Sequence, residues 1–449
     1  YTVKAINGWN HSYAFTSDNY HKPIKINKMN IEVAEENCRR CHSMLTHNIT
    51  FHETEDSKIQ CTSCHLSVGH TKQFLKHNNM EQNKKEKPFS LKYLLLFFFT
   101  AVITAGITLL LVNIFEKKQE ASLYPSVFKP VGDEETDPKV WGENFPFEYD
   151  SYRKTEINEG PTFYGGSDNY QKLDKYPNQK ILFAGNPFSK DYREERGHYW
   201  AITDVKETQR INDKTPNTCI TCKSSSVAVD IKNMGPENFY KAMFKDVGAH
   251  YDKSIGCLDC HDPKTMALRI TRPAFIEAMQ RRGIDVTKAS RQEMRSYVCG
   301  QCHVEYYFKG DGKYLTFPWD KGLQIDSIEK YYDEVNFNDW THETTGSPML
   351  KMQHPEFETW STGIHAKSGV SCADCHMPYV KSGSVKVTDH WIRSPLKNVN
   401  NACQTCHKWS EQEMVNRVKT IQDRTYETMY RTELAIIDAI NAIKAAKDA

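Results

Sequence analysis

Thr218-Cys219-Ile220-Thr221-Cys222-Lys223 carries one of seven CxxC pairs in a chain of 449 residues, and the only one that runs into lysine. The other six run into histidine: Cys38 and Cys41 into His42, Cys61 and Cys64 into His65, Cys257 and Cys260 into His261, Cys299 and Cys302 into His303, Cys372 and Cys375 into His376, and Cys403 and Cys406 into His407. All 14 cysteines are used in this way. CxxCH is the spacing of a c-type haem attachment site: two thiols reach the two vinyl groups, and the adjacent imidazole reaches the iron. Zinc knuckles and disulfides are the alternatives for paired cysteines, but zinc leaves the seven following His and Lys side chains unexplained. Seven haem c groups are therefore expected. An amine must lose its proton to bind a metal, so Lys223 is expected in a desolvated, pKa-shifted site, and its haem is expected to be the reaction centre.

The length allows two or three domains. A net charge of +1 gives no basic field for nucleic acid. The hydrophobic fraction, 39%, is low for an enzyme of this size, as expected where porphyrins fill part of the core. Covalent haem attachment takes place outside the cytoplasm, which points to the periplasm or the outer face of a membrane.

Residues 1–79 hold two haem motifs among scattered histidines. Leu91 to Phe115 follows, 25 residues without a charge after Lys92, long enough to cross a membrane as one helix. Lys84, Lys85, Lys87 and Lys92 lie on its N-terminal side, which the positive-inside rule assigns to the cytoplasm. No small-residue cleavage site follows, so residues 80–119 read as an uncleaved signal anchor. A single crossing would put haem motifs on opposite faces. The simplest resolution is that Met80 begins a separate protein, through two neighbouring genes read as one or a fusion that is later cut.

Residues 120–180 are rich in Pro, Gly, acidic and aromatic residues and read as an extended lead-in. Five haem motifs then follow, separated by short irregular segments. After Lys408 there is no Gly or Pro, and Met414, Val418, Ile421, Met429, Ile436, Ile440 and Ile443 recur at helical steps or their sums. That predicts one long helix whose stripe packs on a partner or neighbouring helix. The fold class expected is mostly α, a multihaem cytochrome c with long C-terminal helices and little β structure.

Residues 120–449 resemble the pentahaem ammonia-forming cytochrome c nitrite reductases. The resemblance is carried by one CxxCK motif followed by four CxxCH motifs and by three local stretches. These are Arg196-Gly197-His198-Tyr199, Cys299-Gly300-Gln301-Cys302-His303-Val304-Glu305-Tyr306-Tyr307 and Lys351-Met352-Gln353-His354-Pro355-Glu356. It implies six-electron reduction of nitrite to ammonium at the Lys223 haem, with one axial position taken by lysine and the other left for substrate. The family's active-site arginine, tyrosine and histidine fall on Arg210, Tyr306 and His354. The chemistry suits them: arginine offers a charge that cannot be lost, histidine exchanges protons near neutral pH, and tyrosine donates to bound intermediates. Read without the resemblance, Arg210 is a surface salt bridge and Tyr306 is core packing.

The same resemblance implies a calcium ion held by hard oxygens: the Glu305 carboxylate, the Gln353 amide and the backbone carbonyls of Tyr306 and Lys351. It pairs His198 with the haem on His303, His390 with that on His261, and His365 with that on His407. For the haem on His376 the family uses a histidine beyond the long helix. Either that haem is incompletely ligated here or its ligand lies beyond residue 449. The family also implies a homodimer.

Residues 1–79 resemble the C-terminal half of the small tetrahaem quinol dehydrogenases that feed these enzymes, through Gly8-Trp9-Asn10-His11-Ser12, Cys38 to His42, and Cys64-His65-Leu66-Ser67-Val68-Gly69-His70. That implies His70 as second ligand of the haem on His42 and a membrane quinol dehydrogenase as electron donor. The competing readings are an electron-transfer conduit with every iron six-coordinate, which the lysine motif disfavours, and a hydroxylamine-converting relative, for which no crosslinking tyrosine is placed.

Overall fold

The computed structural model describes residues 8–10, 12–14, 16, 17, 33, 89–121 and 128–449, apart from 158, 167, 383 and 384. Two of the expected haem motifs, Cys38 and Cys41 with His42 and Cys61 and Cys64 with His65, lie outside the described residues, and so does His70. The chain divides into two units: Tyr1–Ser126 with Lys381–Lys386 and Cys403–Trp409, and the remainder.

In the first unit the apolar run forms the helix Phe89–Ala121. Its segment Phe98–Glu116 has a mean hydropathy of 2.2 and no burial, and is long and apolar enough to cross a membrane. Thr104 and Thr108 do not interrupt it, because each hydroxyl donates to the carbonyl four residues back, at 2.8 and 2.9 Å. The same unit holds the last haem motif, a tight turn in which Cys406 N and His407 N both donate to Cys403 O, at 3.1 and 2.9 Å. The His407 ring stacks on Trp409, centroids 5.3 Å apart and planes within 10°.

The second unit is mostly helical; β structure among the described residues consists of two-stranded sheets and isolated bridges. Its core gathers Phe239, Phe275, Phe317, Trp319 and Phe357, all nearly fully buried. Phe275 meets Trp319 and Phe357 edge-on, at 5.6 Å in each case, a favoured arrangement of aromatic quadrupoles. Ile220 and Val304, one inside and one just after a haem motif, are fully buried in this core, so apolar packing fixes the motif backbones.

Helix ends follow the sequence signals. Ser290 and Glu293 form a capping box on Arg291–Gly300, with Glu293 N to Ser290 Oγ at 3.2 Å and the reverse bond at 2.7 Å. That helix ends inside the Cys299 motif, where Gly300 is required by close approach: a Cβ there would stand 2.5 Å from the Phe357 ring. Ser371 and Asp374 cap the helix Cys372–His376 in the same manner, so that the motif of Cys372 and Cys375 is itself one short helix. Ser410 and Glu413 start the long helix Glu411–Asp448 with a further capping box. Its stripe is split, which sequence periodicity did not separate. Met414 and Ile440 are buried, and Ile437 rather than Ile436, while Ile421 and Met429 are 58% and 66% exposed.

Candidate functional site

Three segments deliver the site. The first is Arg196-Gly197-His198. Asp204 accepts from Arg196 Nε at 2.7 Å and from its backbone N at 3.1 Å, and Gly197 takes φ +100°, a conformation costly for other residues. The chain then turns so that the His198 ring faces His303, centroids 6.2 Å apart. The second is the hairpin Tyr307–Lys309 with Tyr314–Thr316, Tyr307 opposite Thr316. Alternation sends neighbouring side chains to opposite faces: the Tyr307 hydroxyl bonds that of Tyr331 at 2.8 Å, and Tyr306 turns toward His354. The third is the loop 350–355, tied to the His303 motif by Phe357 N donating to His303 O at 3.0 Å.

Arg210, Tyr306 and His354 come together around the lysine motif. The rings of Tyr306 and His354 are 6.4 Å apart and within 25° of parallel. Arg210 lies over the Phe188 ring at 4.1 Å and acts electrostatically on Lys223, Cys219 and Lys351. Burial raises the Tyr306 hydroxyl well above its usual pKa, and the thiols of Cys222 and Cys219 add to this; it stays protonated and can donate. Burial, then the charge of Lys223, lowers His354 to about 3, leaving a neutral imidazole.

Lys223 lies in an ion pair. Its ammonium contacts both oxygens of Glu195, at 2.7 and 2.6 Å. Burial acts to lower its pKa, but the Glu195 charge overrides that and the pKa is raised. The charge of Lys223 is in turn the main reason Glu195 lies at about 2. Glu195 precedes the Arg-Gly-His stretch directly, but nothing in the local pattern marks it as a partner of a residue 28 positions away.

Asp191 was also not evident from sequence. Its carboxylate is fully buried and accepts from Thr208 Oγ1 at 2.7 Å and Gln209 N at 2.9 Å, which holds the turn carrying Arg210.

The calcium set is gathered as well. Glu305 is buried and accepts from Tyr332 Oη at 2.8 Å and from Gln353 N. Burial raises its pKa to about 8, and burial likewise raises the nearby Asp339. Buried carboxylates with so little compensation suit a hard cation. The one ammonium described among these oxygens is Lys351 Nζ, 3.2 Å from both Met352 O and Gln353 Oε1.

The histidines can be tested against haem. Each axial ligand needs an accessible nitrogen and a fixed tautomer. His261 Nδ1 faces Met266 O at 2.9 Å, His390 Nδ1 faces Thr388 O at 2.8 Å and His376 Nδ1 faces Arg393 O at 3.1 Å; a donating Nδ1–H leaves Nε2 for a metal. His261 and His390 have ring centroids 6.4 Å apart. A metal–imidazole bond of about 2 Å on each side, plus the half-widths of two rings, spans roughly this distance. Burial lowers His198 to about 4 and also lowers His261 and His390, so all three are neutral, as ligation requires. His365 lies in the short helix Ile364–Lys367.

The cysteines pass the same test. None of the ten described, Cys219, Cys222, Cys257, Cys260, Cys299, Cys302, Cys372, Cys375, Cys403 and Cys406, is in a disulfide, although only two residues lie between the cysteines of each motif. Their thiols are available for thioether bonds to a porphyrin. The thiol of Cys222 interacts electrostatically with that of Cys302, and that of Cys299 with that of Cys372, which sets the His303 motif between those of Lys223 and His376. The residues present fit haem c.

Paired histidines at iron-spanning separation beside unbridged cysteine doublets, repeated along a helical chain, define a multihaem c-type cytochrome. The chain belongs to the cytochrome c552 family, whose pattern matches residues 137–449. It is 44% identical over 361 residues to cytochrome c-552 of Porphyromonas gingivalis, covering 78% of this chain and 72% of that protein. It is 48% identical over 312 residues to cytochrome c-552 of Parabacteroides distasonis, covering 68% and 63%. Among solved structures, the catalytic subunit of cytochrome c nitrite reductase from Desulfovibrio desulfuricans, described with two calcium sites, superposes with a TM-score of 0.67 at 34% identity, over 72% of this chain and 74% of that one.

Proposed function

We propose that this chain reduces nitrite to ammonium at a haem held by Cys219, Cys222 and Lys223. The observation that carries the reading is the convergence of Arg210, Tyr306 and His354 on the one motif that offers lysine instead of histidine. A haem bound there would supply electrons through a redox-active iron. The protein supplies charge and protons. Arg210 holds a fixed positive charge for the anion, and Tyr306 Oη donates a hydrogen bond to the nitrite oxygens, which gain charge and then protons as the nitrogen is reduced and they leave as water. His354, neutral in this setting, receives and passes protons. Glu356 Oε1 lies 4.0 Å from His354 Nδ1 and is 58% exposed, which supports a proton route from solvent.

The finer parts of the proposal rest on the sequence and on the arrangement above. Seven haems are carried, five of them in residues 120–449. Calcium sits on Glu305, Gln353 and the carbonyls of Tyr306 and Lys351, bracing the loops that bear Tyr306 and His354. The helix Phe89–Ala121, within residues 80–119 and their flanks, anchors the catalytic part on the periplasmic side of the membrane. A quinol dehydrogenase cytochrome supplies electrons, residues 1–79 being a piece of one. Two copies pair through the long helix. The test is stoichiometric: with reduced viologen as donor, six electrons should be consumed for each ammonium formed from nitrite. Viologen oxidation without ammonium would reject the reading.

A further inference from the structure

Arg272 is fully buried and pairs with Asp259, Nη2 to Oδ1 at 2.7 Å. The same guanidinium donates from Nε to Thr221 O at 2.8 Å and from Nη2 to Ser224 O at 3.0 Å. The backbone N–H of Arg272 donates to Gln301 Oε1 at 3.1 Å, and Gln301 Nε2 donates to Asp259 O at 2.9 Å. Thr221, Asp259 and Gln301 share one property: each is the residue before the second cysteine of its CxxC pair. One arginine and one glutamine therefore tie three haem motifs, those of Lys223, His261 and His303, at the same position in each. The guanidinium also acts electrostatically on the thiols of Cys222, Cys260 and Cys302, the second cysteine of all three.

An ion pair placed here is a weak way to stabilise a core, because desolvation takes back much of the attraction. The pair is also asymmetric. Its cation lies against the carbonyls on either side of Lys223, whereas its anion belongs to the His261 motif and caps it, accepting from Gly256 N at 2.8 Å and from Ser225 Oγ. In a low-dielectric interior a nearby cation favours the reduced form of a redox centre and a nearby anion the oxidised form. A related pairing joins Arg295, on the helix leading into the His303 motif, to Asp374, again the residue before a second cysteine, at 2.8 Å.

We propose that Arg272 is a positioning residue for the relay: with Gln301 it fixes three haems against one another, and with Asp259 it forms a buried dipole that raises the potential of the Lys223 haem and lowers that of the His261 haem, directing electrons to the lysine site. The direction of flow rests on the reading of Lys223 as reaction centre; the potentials do not.

The test is a potentiometric titration of the holoenzyme followed by EPR, without nitrite, in R272Q, R272K and D259N. R272Q is expected to lower the midpoint of the Lys223 haem, and R272K, which keeps the charge, to leave it near that of the unmodified protein. D259N is expected to raise the midpoint of the His261 haem. Opposite shifts from the two halves of one pair are not a consequence of loosened packing. Loss of thermal stability with every midpoint unmoved would overturn the proposal. Should R272Q fail to assemble with its haems, D259N decides alone, and an unmoved or lowered His261 midpoint counts against it. Altered potentials with normal ammonium formation, or the reverse, separate this proposal from that of nitrite reduction.

Discussion

Tyr306 and His354 lie nearly parallel, ring centroids 6.4 Å apart, though 48 residues of chain separate them and neither bonds the other. What joins them is the backbone bond from Phe357 N to His303 O and the Glu305–Gln353 contact beneath. If both serve one proton-handling pocket, their removal should not be additive. Y306F keeps the ring and loses the donor, so its kcat with nitrite is expected to fall about 10²–10⁴-fold, with H354N similar and the double variant little worse than either. Steady-state assays with a reduced viologen measure this.

Asp191 anchors the turn bearing Arg210. Burial alone would raise its pKa, but hydrogen bonds from Thr208, Gln209 and Gln171 hold it down to about 2. A carboxylate depressed in the folded state stabilises it above the unfolded pKa and loses that contribution as pH falls through the folded value. D191N is expected to cost about 1–3 kcal/mol near neutral pH and to raise the KM for nitrite more than it lowers kcat. In urea unfolding, the difference from the unmodified protein should shrink toward pH 2.

Glu305 runs the other way. Burial raises it to about 8, so the folded state holds a proton that the unfolded chain has released, and stability falls as pH rises from the ordinary carboxylate range to about 8. A bound cation removes that penalty. Chelation is therefore expected to lower the thermal midpoint more at pH 8 than at pH 5, with each tenfold of free calcium above its Kd worth about 1.4 kcal/mol. Parallel curves with and without chelator would mean that calcium does not bind at Glu305.

On the helix Glu411–Asp448, Ile421, Met429, Ile436 and Ile443 share a face and are 58%, 66%, 40% and 39% exposed. This is the face through which two copies are proposed to pair. If that pairing holds, the unmodified protein sediments as a dimer in analytical ultracentrifugation and M429E as a monomer with its haem spectrum intact; a monomer in both cases would reject it.

How far the sequence could be read depended on the range of each interaction. Haem motifs and the long helix are local, and both were legible; the capping serines at 290 and 410 are just as local but were recognised only in the structure. The pairing of His198 with His303 and of His390 with His261 spans over 100 residues and came only through resemblance to a family; the ring separations of 6.2 and 6.4 Å agree with it. The Glu195–Lys223, Asp191–Gln209 and Arg272–Asp259 contacts carry no spacing signature, because each joins segments brought together only by the fold. The split of the C-terminal stripe was hidden for the same reason: periodicity marks a face but not what covers it.

The most direct test is EPR of the oxidised protein with and without nitrite. A lysine-ligated iron whose second axial side is kept for substrate should give a high-spin signal that changes when nitrite is added, beside low-spin signals from the bis-histidine haems. Wholly low-spin iron indifferent to nitrite would contradict a reaction centre at Lys223 and leave an electron conduit in its place.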